Sequence, residues 1–170
     1  MSGGLGASFL AGFLHPLLGL DHQLAMIAVG LWSGQIGGRM IWTAPLGFMT
    51  MMAVGGAWGM LGLGFPLVEG GIIASIILFG CLIAGSVTPH PWIGAAAVGA
   101  FALFHGHAHG VEMTVGALGP LYAGGFVLAT GLLHLLGIAL AKGMLRCHWA
   151  GAVRWIGVGV SLAGVGMVFA

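Results

Sequence analysis

Two short stretches hold most of the groups in this chain that could do chemistry. The first is His15-Pro-Leu-Leu-Gly-Leu-Asp21-His22, and the second runs from Phe101 through His105, His107 and His109 to Glu112. The chain has only 3 acidic residues and 8 histidines. Asp21 and Glu112 fall in these stretches, and the third acid, Glu69, follows Pro66-Leu67-Val68. Neutral imidazole and ionised carboxylate are both ligands for divalent transition metals. A carboxylate inside an apolar run costs about 2.5–3.5 kcal/mol even on insertion scales, so it needs a partner, and a metal ion fits. Asp21 pairing with Arg39 is disfavoured, because the two lie at different levels of one apolar segment.

Spacing refines the ligand set. His105, His109 and Glu112 recur at i, i+4 and i+7, one face of a helix. Two imidazoles at i and i+4 can share one ion, whereas His107 points the other way. His15 and His22 also share a face, but an unbroken helix would separate them by about 10.5 Å along its axis. Either the helix breaks around Pro16 and Gly19, or the two histidines act in succession along a path. The candidate metal-ligating set is therefore His15, Asp21, His22, Glu69, His105, His107, His109 and Glu112. His134, alone in an apolar segment, reads as a helix–helix hydrogen bond, and His90 and His148 read as solvated. The methionines around Met49 and Met52 read as packing or lipid-facing residues. No catalytic residue and no resident cofactor is assigned.

The elements that must position these groups are membrane helices. The chain is 59% hydrophobic and 4% charged, with a mean hydropathy of +1.13, whereas soluble domains carry about 25% charged residues. The fold class is all-α: a polytopic membrane protein, one domain over residues 1–170. Six apolar segments lie near 5–36, 41–63, 67–88, 92–110, 117–141 and 149–169, and the first is too long for one simple span. The chain's 35 glycines suit close helix packing in lipid. Arg39, Lys142, Arg146 and Arg154 all fall at odd-numbered connections or beside one. The positive-inside rule makes that face cytoplasmic and puts both termini outside. An outward N-terminus fits a cleaved signal peptide or N-end-first insertion. The acidic residues and five histidines then lie in the outer half or at the midplane, as a cation site loaded from outside would require. No basic patch supports nucleic acid as a partner. Cys81 and Cys147 form no Cys-x-x-Cys pair and read as free thiols.

The stretch HPLLGLDHQLAMIAVGLWSGQIGG resembles the first signature of the HupE/UreJ family of membrane nickel permeases, and FALFHGHAHGVE resembles the second. Pro66-Leu67-Val68-Glu69 and Thr130-Gly131-Leu132-Leu133-His134 fit as well, so the resemblance covers essentially the whole chain. It implies secondary import of Ni2+ across a bacterial inner membrane by a multi-pass protein that supplies hydrogenase or urease, with Co2+ handled by some relatives. His15, Asp21 and His22 match the first motif, and His105, His107, His109 and Glu112 match the second. Another nickel–cobalt transporter family carries a similar motif with four residues between His and Asp; here there are five.

The residues themselves leave Ni2+, Co2+ and Zn2+ open as the ion. No Walker lysine motif is present, so an ion gradient, the membrane potential or cytosolic sequestration would drive transport. The expected partners are a divalent metal ion and the lipid bilayer, with a homo-oligomer left open. Two rival classes are a metal-binding accessory protein that does not transport and a zinc-dependent intramembrane hydrolase. The lack of a His-Glu-x-x-His motif counts against the hydrolase, and Ser75 lacks the flanking pattern of a serine intramembrane protease.

Overall fold

In lipid every backbone polar group must be satisfied within the protein, and helices do this residue by residue. The computed structural model describes residues 2–113 and 117–169, and among these it contains seven α-helices and no strand. They are α1 (Ser2–Leu18), α2 (Leu20–Ile36), α3 (Met40–Met60), α4 (Val68–Ala84), α5 (Pro91–Val111), α6 (Gly119–Arg146) and α7 (Ala150–Met167). The protein is an all-α membrane protein, and α3, α6 and α7 are each long and apolar enough to cross a bilayer.

The long first segment is two helices. Gly19 is extended, with φ −90° and ψ 117°, and the chain changes course there. Pro16 has no N–H to continue the ladder of α1. At the break Gln23 Nε2 donates to Leu17 O at 2.7 Å, and the Gln23 backbone N–H donates to Gly19 O at 3.0 Å, the first bond of α2. Both halves follow α6 in the same direction. Leu118 N–H donates to Ser8 Oγ, and Gly12 lies against Tyr122. Further on, Gly30 lies against His134 and Gly34 against Ile138.

Glycine lets the other helix pairs approach closely. α3 and α5 run parallel, with Gly47 on Ala95, Gly55 on Leu103 and Gly59 on His107. A Cβ added at Gly106 would sit 2.0 Å from Met52 O, so no larger residue fits that seam. α4 and α7 run antiparallel through Gly80 and Gly157. These directions are those of a chain that crosses alternately, with α1 and α2 counted as one broken span.

The two ends of the bundle differ in charge. At one end Arg154 Nε donates to Ala84 O, Trp32 Nε1 donates to Val87 O, and Gln35 Nε2 donates to Ile83 O and Ser86 Oγ. Lys142 and Arg146, expected in a loop, lie instead in the last turns of α6, which runs to Arg146. Cations favour the C-terminal end of a helix dipole, which accounts for the extra turn. Exposed Trp42, Trp92, Trp149 and Trp155 surround this end, as aromatic residues do at a membrane interface. The carboxylates lie away from it: Glu69 in the first turn of α4, Glu112 capping α5 and Asp21 at the break.

Candidate metal centre

The break at Gly19 brings together two histidines that a straight helix would separate. The His15 ring lies 4.8 Å from the His109 ring, centroid to centroid. The His22 ring lies 4.4 Å from the same His109 and 5.2 Å from His105. Residues from α1 and α2 thus converge on His109 of α5. Gly19 suits this geometry and not because of its φ: a Cβ there would lie 2.9 Å from Asp21 Oδ1 and 3.0 Å from His22 Nδ1, so the pair would have to shift.

Hydrogen bonds decide which ring nitrogens carry lone pairs. His22 Nδ1–H donates to Asp21 Oδ1 at 2.9 Å. Its buried Nε2 has no partner among the described residues. This is the carboxylate–histidine arrangement that orients a metal-ligating imidazole and raises its basicity. Ser75 Oγ–H donates to Ile72 O at 2.6 Å, so its oxygen is left to accept from His105 Nε2–H at 2.9 Å. The His105 lone pair is then on Nδ1, which is also buried without a partner among the described residues. His109 is fully buried and stacks on Phe126 at 5.2 Å. Neither of its nitrogens has a partner among the described residues. Leaving such groups unpaired costs about 1–3 kcal/mol each.

The outer edge is wetter. His15 Nε2–H donates to Glu112 Oε2 at 2.9 Å, with side-chain exposures of 29% and 53%. One ligand atom from each of His15, His109 and Glu112 lies within 4.8 Å of the others. In a tetrahedral shell with bonds near 2.0–2.1 Å the ligand atoms stand roughly 3.5 Å apart, so a modest contraction would close this group on an ion. Exposure falls from Glu112 through His15 to fully buried His109 and His105.

Two candidate ligands stand apart. His107 Nε2–H donates to Leu63 O at 2.8 Å, and its ring packs 5.6 Å from Phe65. It fastens the connection between α3 and α4. Glu69 lines a pocket of about 190 Å³ with Val68, His107 and Glu112, so Glu112 borders both this pocket and the His15–His109 group. Sequence reasoning missed the supports of the cluster: Ser75, which orients His105, and the rings of Tyr122 and Phe126. A hydroxyl inside an apolar segment was the available signal for Ser75.

The fold and site define a helical membrane protein in which buried His22, His105 and His109 are flanked by the more exposed carboxylates of Asp21 and Glu112. The family described as HupE / UreJ protein matches residues 2–167, and the chain belongs to that family. It is 44% identical over 161 residues to the protein named Protein HupE of Rhizobium leguminosarum bv. viciae, covering 94% of this chain and 83% of that protein. No solved structure matches. The family consists of permease-like accessory proteins and not enzymes, which removes the hydrolase reading.

Proposed function

We propose that this chain is a secondary importer of a divalent transition metal, with Ni2+ as the first substrate and Co2+ the nearest alternative, in a bacterial inner membrane. It crosses six times, α1 and α2 forming one broken span, with the basic end in the cytoplasm and both termini outside. The observation that supports this reading best is the meeting of His15 and His22 with His109 and of His22 with His105, with ring nitrogens on His22, His105 and His109 that have no partner among the described residues. A ligand set of imidazoles and carboxylates suits borderline divalent ions and leaves the choice among them to geometry and supply. Broken helices at ion sites recur in transporters, where the break supplies ligands and a polar surface near the midplane.

Glu112 and His15 take the hydrated ion at the outer edge. His109 and His22 replace its water, and His105 receives it deeper. Several weak stations conduct better than one tight cage, because the ion must leave as readily as it enters. An inside-negative potential assists a divalent ion by about 4.6 kcal/mol per 100 mV. The test is uptake of radioactive nickel into proteoliposomes without ATP. Wild type should accumulate the ion under an inside-negative potential. A folded Asp21→Asn protein, which keeps side-chain volume but loses the carboxylate, should not. Equal uptake by the two would exclude a metal role for the first motif.

A further inference from the structure

His134 and Tyr122 are buried rings of α6 whose polar atoms have no partner among the described residues. Their settings differ. The sequence reads His134 as a helix–helix hydrogen bond, and the structure gives it none. The cleft beside it is otherwise lined by apolar side chains such as Trp42, Leu46 and Leu135. Tyr122 lies in the first turn of α6, toward the acidic end of the bundle, and is 1% exposed. Side chains lean toward the N-terminus of their helix, which for α6 is that same end. Its hydroxyl is dry and unanswered there, where a phenylalanine would pack without the penalty.

The ring is tied to each member of the outer group His15, His109 and Glu112. It lies 6.0 Å from the His15 ring, centroid to centroid. It lies 6.1 Å from Phe126, which stacks on His109. Glu112 is near enough for its charge to act on the hydroxyl. The backbone beneath is held by α1, since a Cβ at Gly12 would run into Tyr122 O.

Three protein ligands leave a divalent ion at least one position, and water fills it. An ion makes its bound water acidic and so a strong hydrogen-bond donor. That donor needs an acceptor in a site walled by Phe126 and the His15 ring. A neutral phenol is a poor direct ligand, but its oxygen accepts hydrogen bonds. A water bridge joins groups too far apart to bond directly.

We infer that the Tyr122 hydroxyl accepts a hydrogen bond from a water that the ion keeps while His15, His109 and Glu112 hold it. This deepens the importer reading and rests on it. Tyr122 acts through that water and is a positioning residue, not a ligand.

The test uses the full chain in lipid nanodiscs and Ni2+ alone as the probe. Tyr122→Phe keeps the ring and removes only the hydroxyl. Its nickel affinity should be about fivefold weaker, the effect of one hydrogen bond. The melting temperature of the metal-free variant should equal or exceed that of wild type, because a buried unpaired hydroxyl has gone. Unchanged affinity would overturn the inference. So would weaker affinity together with a lower melting temperature, the pattern of a packing role. Tyr122 is the chain's one tyrosine, so the tyrosine Raman doublet has a single source. Nickel should move it toward that of an accepting phenol, and an unchanged doublet in loaded wild type contradicts the water bridge. Wild type that neither binds nor takes up nickel defeats the importer reading itself. Wild type that takes up nickel, matched in affinity by Tyr122→Phe, defeats only the role of Tyr122.

Discussion

The broken pair α1–α2 and the straight helix α5 deliver histidines to the same place by opposite means. α5 relies on regular spacing: His105 and His109 are one turn apart and share a face without any distortion. α1–α2 relies on irregularity. Its His15 and His22 would stand about 10.5 Å apart on a continuous axis, and both reach His109 only because the chain is extended at Gly19. A regular helix fixes ligands cheaply but on one stripe. A break lets ligands approach from two levels, provided the freed carbonyls find donors, as Leu17 O does in Gln23.

Removing the meeting point should cost most. His109→Ala or His22→Ala should abolish nickel uptake with the melting temperature little changed, since among the described residues both His109 nitrogens and His22 Nε2 are unpartnered and the loss strands no hydrogen-bond partner other than Asp21. Uptake assays on the folded proteins check this. Next in size is the break itself. Gly19→Ala is compatible with the backbone but drives a Cβ into the Asp21–His22 pair. Nickel affinity should fall about 10–100-fold, the range expected when the orienting partner of a ligand is lost. Unchanged affinity by titration would mean that the pair does not orient the ligand.

A several-fold loss should follow acidification. Protons compete with the ion for imidazole nitrogens. At clamped potential, uptake should decline as the outer medium is made more acidic. Acceleration by an inward proton gradient would instead indicate symport. The smallest effect on binding is expected at His107→Ala, because that ring already donates to Leu63 O. The protein should bind nickel nearly as well while the α3–α4 connection loosens in hydrogen exchange. A His107 variant more impaired in metal titration than His105→Ala would reverse the contrast drawn within α5.

Much of this contrast was legible before any coordinates. The i, i+4 spacing in α5 places His105 and His109 together and turns His107 away, because helical periodicity is local. The break was legible as a choice, since Pro16 and Gly19 sit where the first segment is too long, but the sequence could not choose between a break and a path. The reason for Gly19 lies in side chains two and three residues away that must fold back over it. Ser75 was weighed only as a nucleophile, because its partner His105 is thirty residues distant and meets it through the α4–α5 contact. His134 misled for the same reason: a lone imidazole in a span predicts a hydrogen bond, and only packing shows that none is within reach. The end of α6 was set too early, since the basic residues that suggested a loop also favour a helix terminus.

X-ray absorption at the nickel edge of the loaded protein tests the central claim most directly. If the broken helix and α5 share one ion, wild type should show imidazole scattering from more than one histidine, and His109→Ala should lose most of it along with the bound nickel. A spectrum of oxygen ligands alone, or one unchanged in folded His109→Ala, would contradict the shared site.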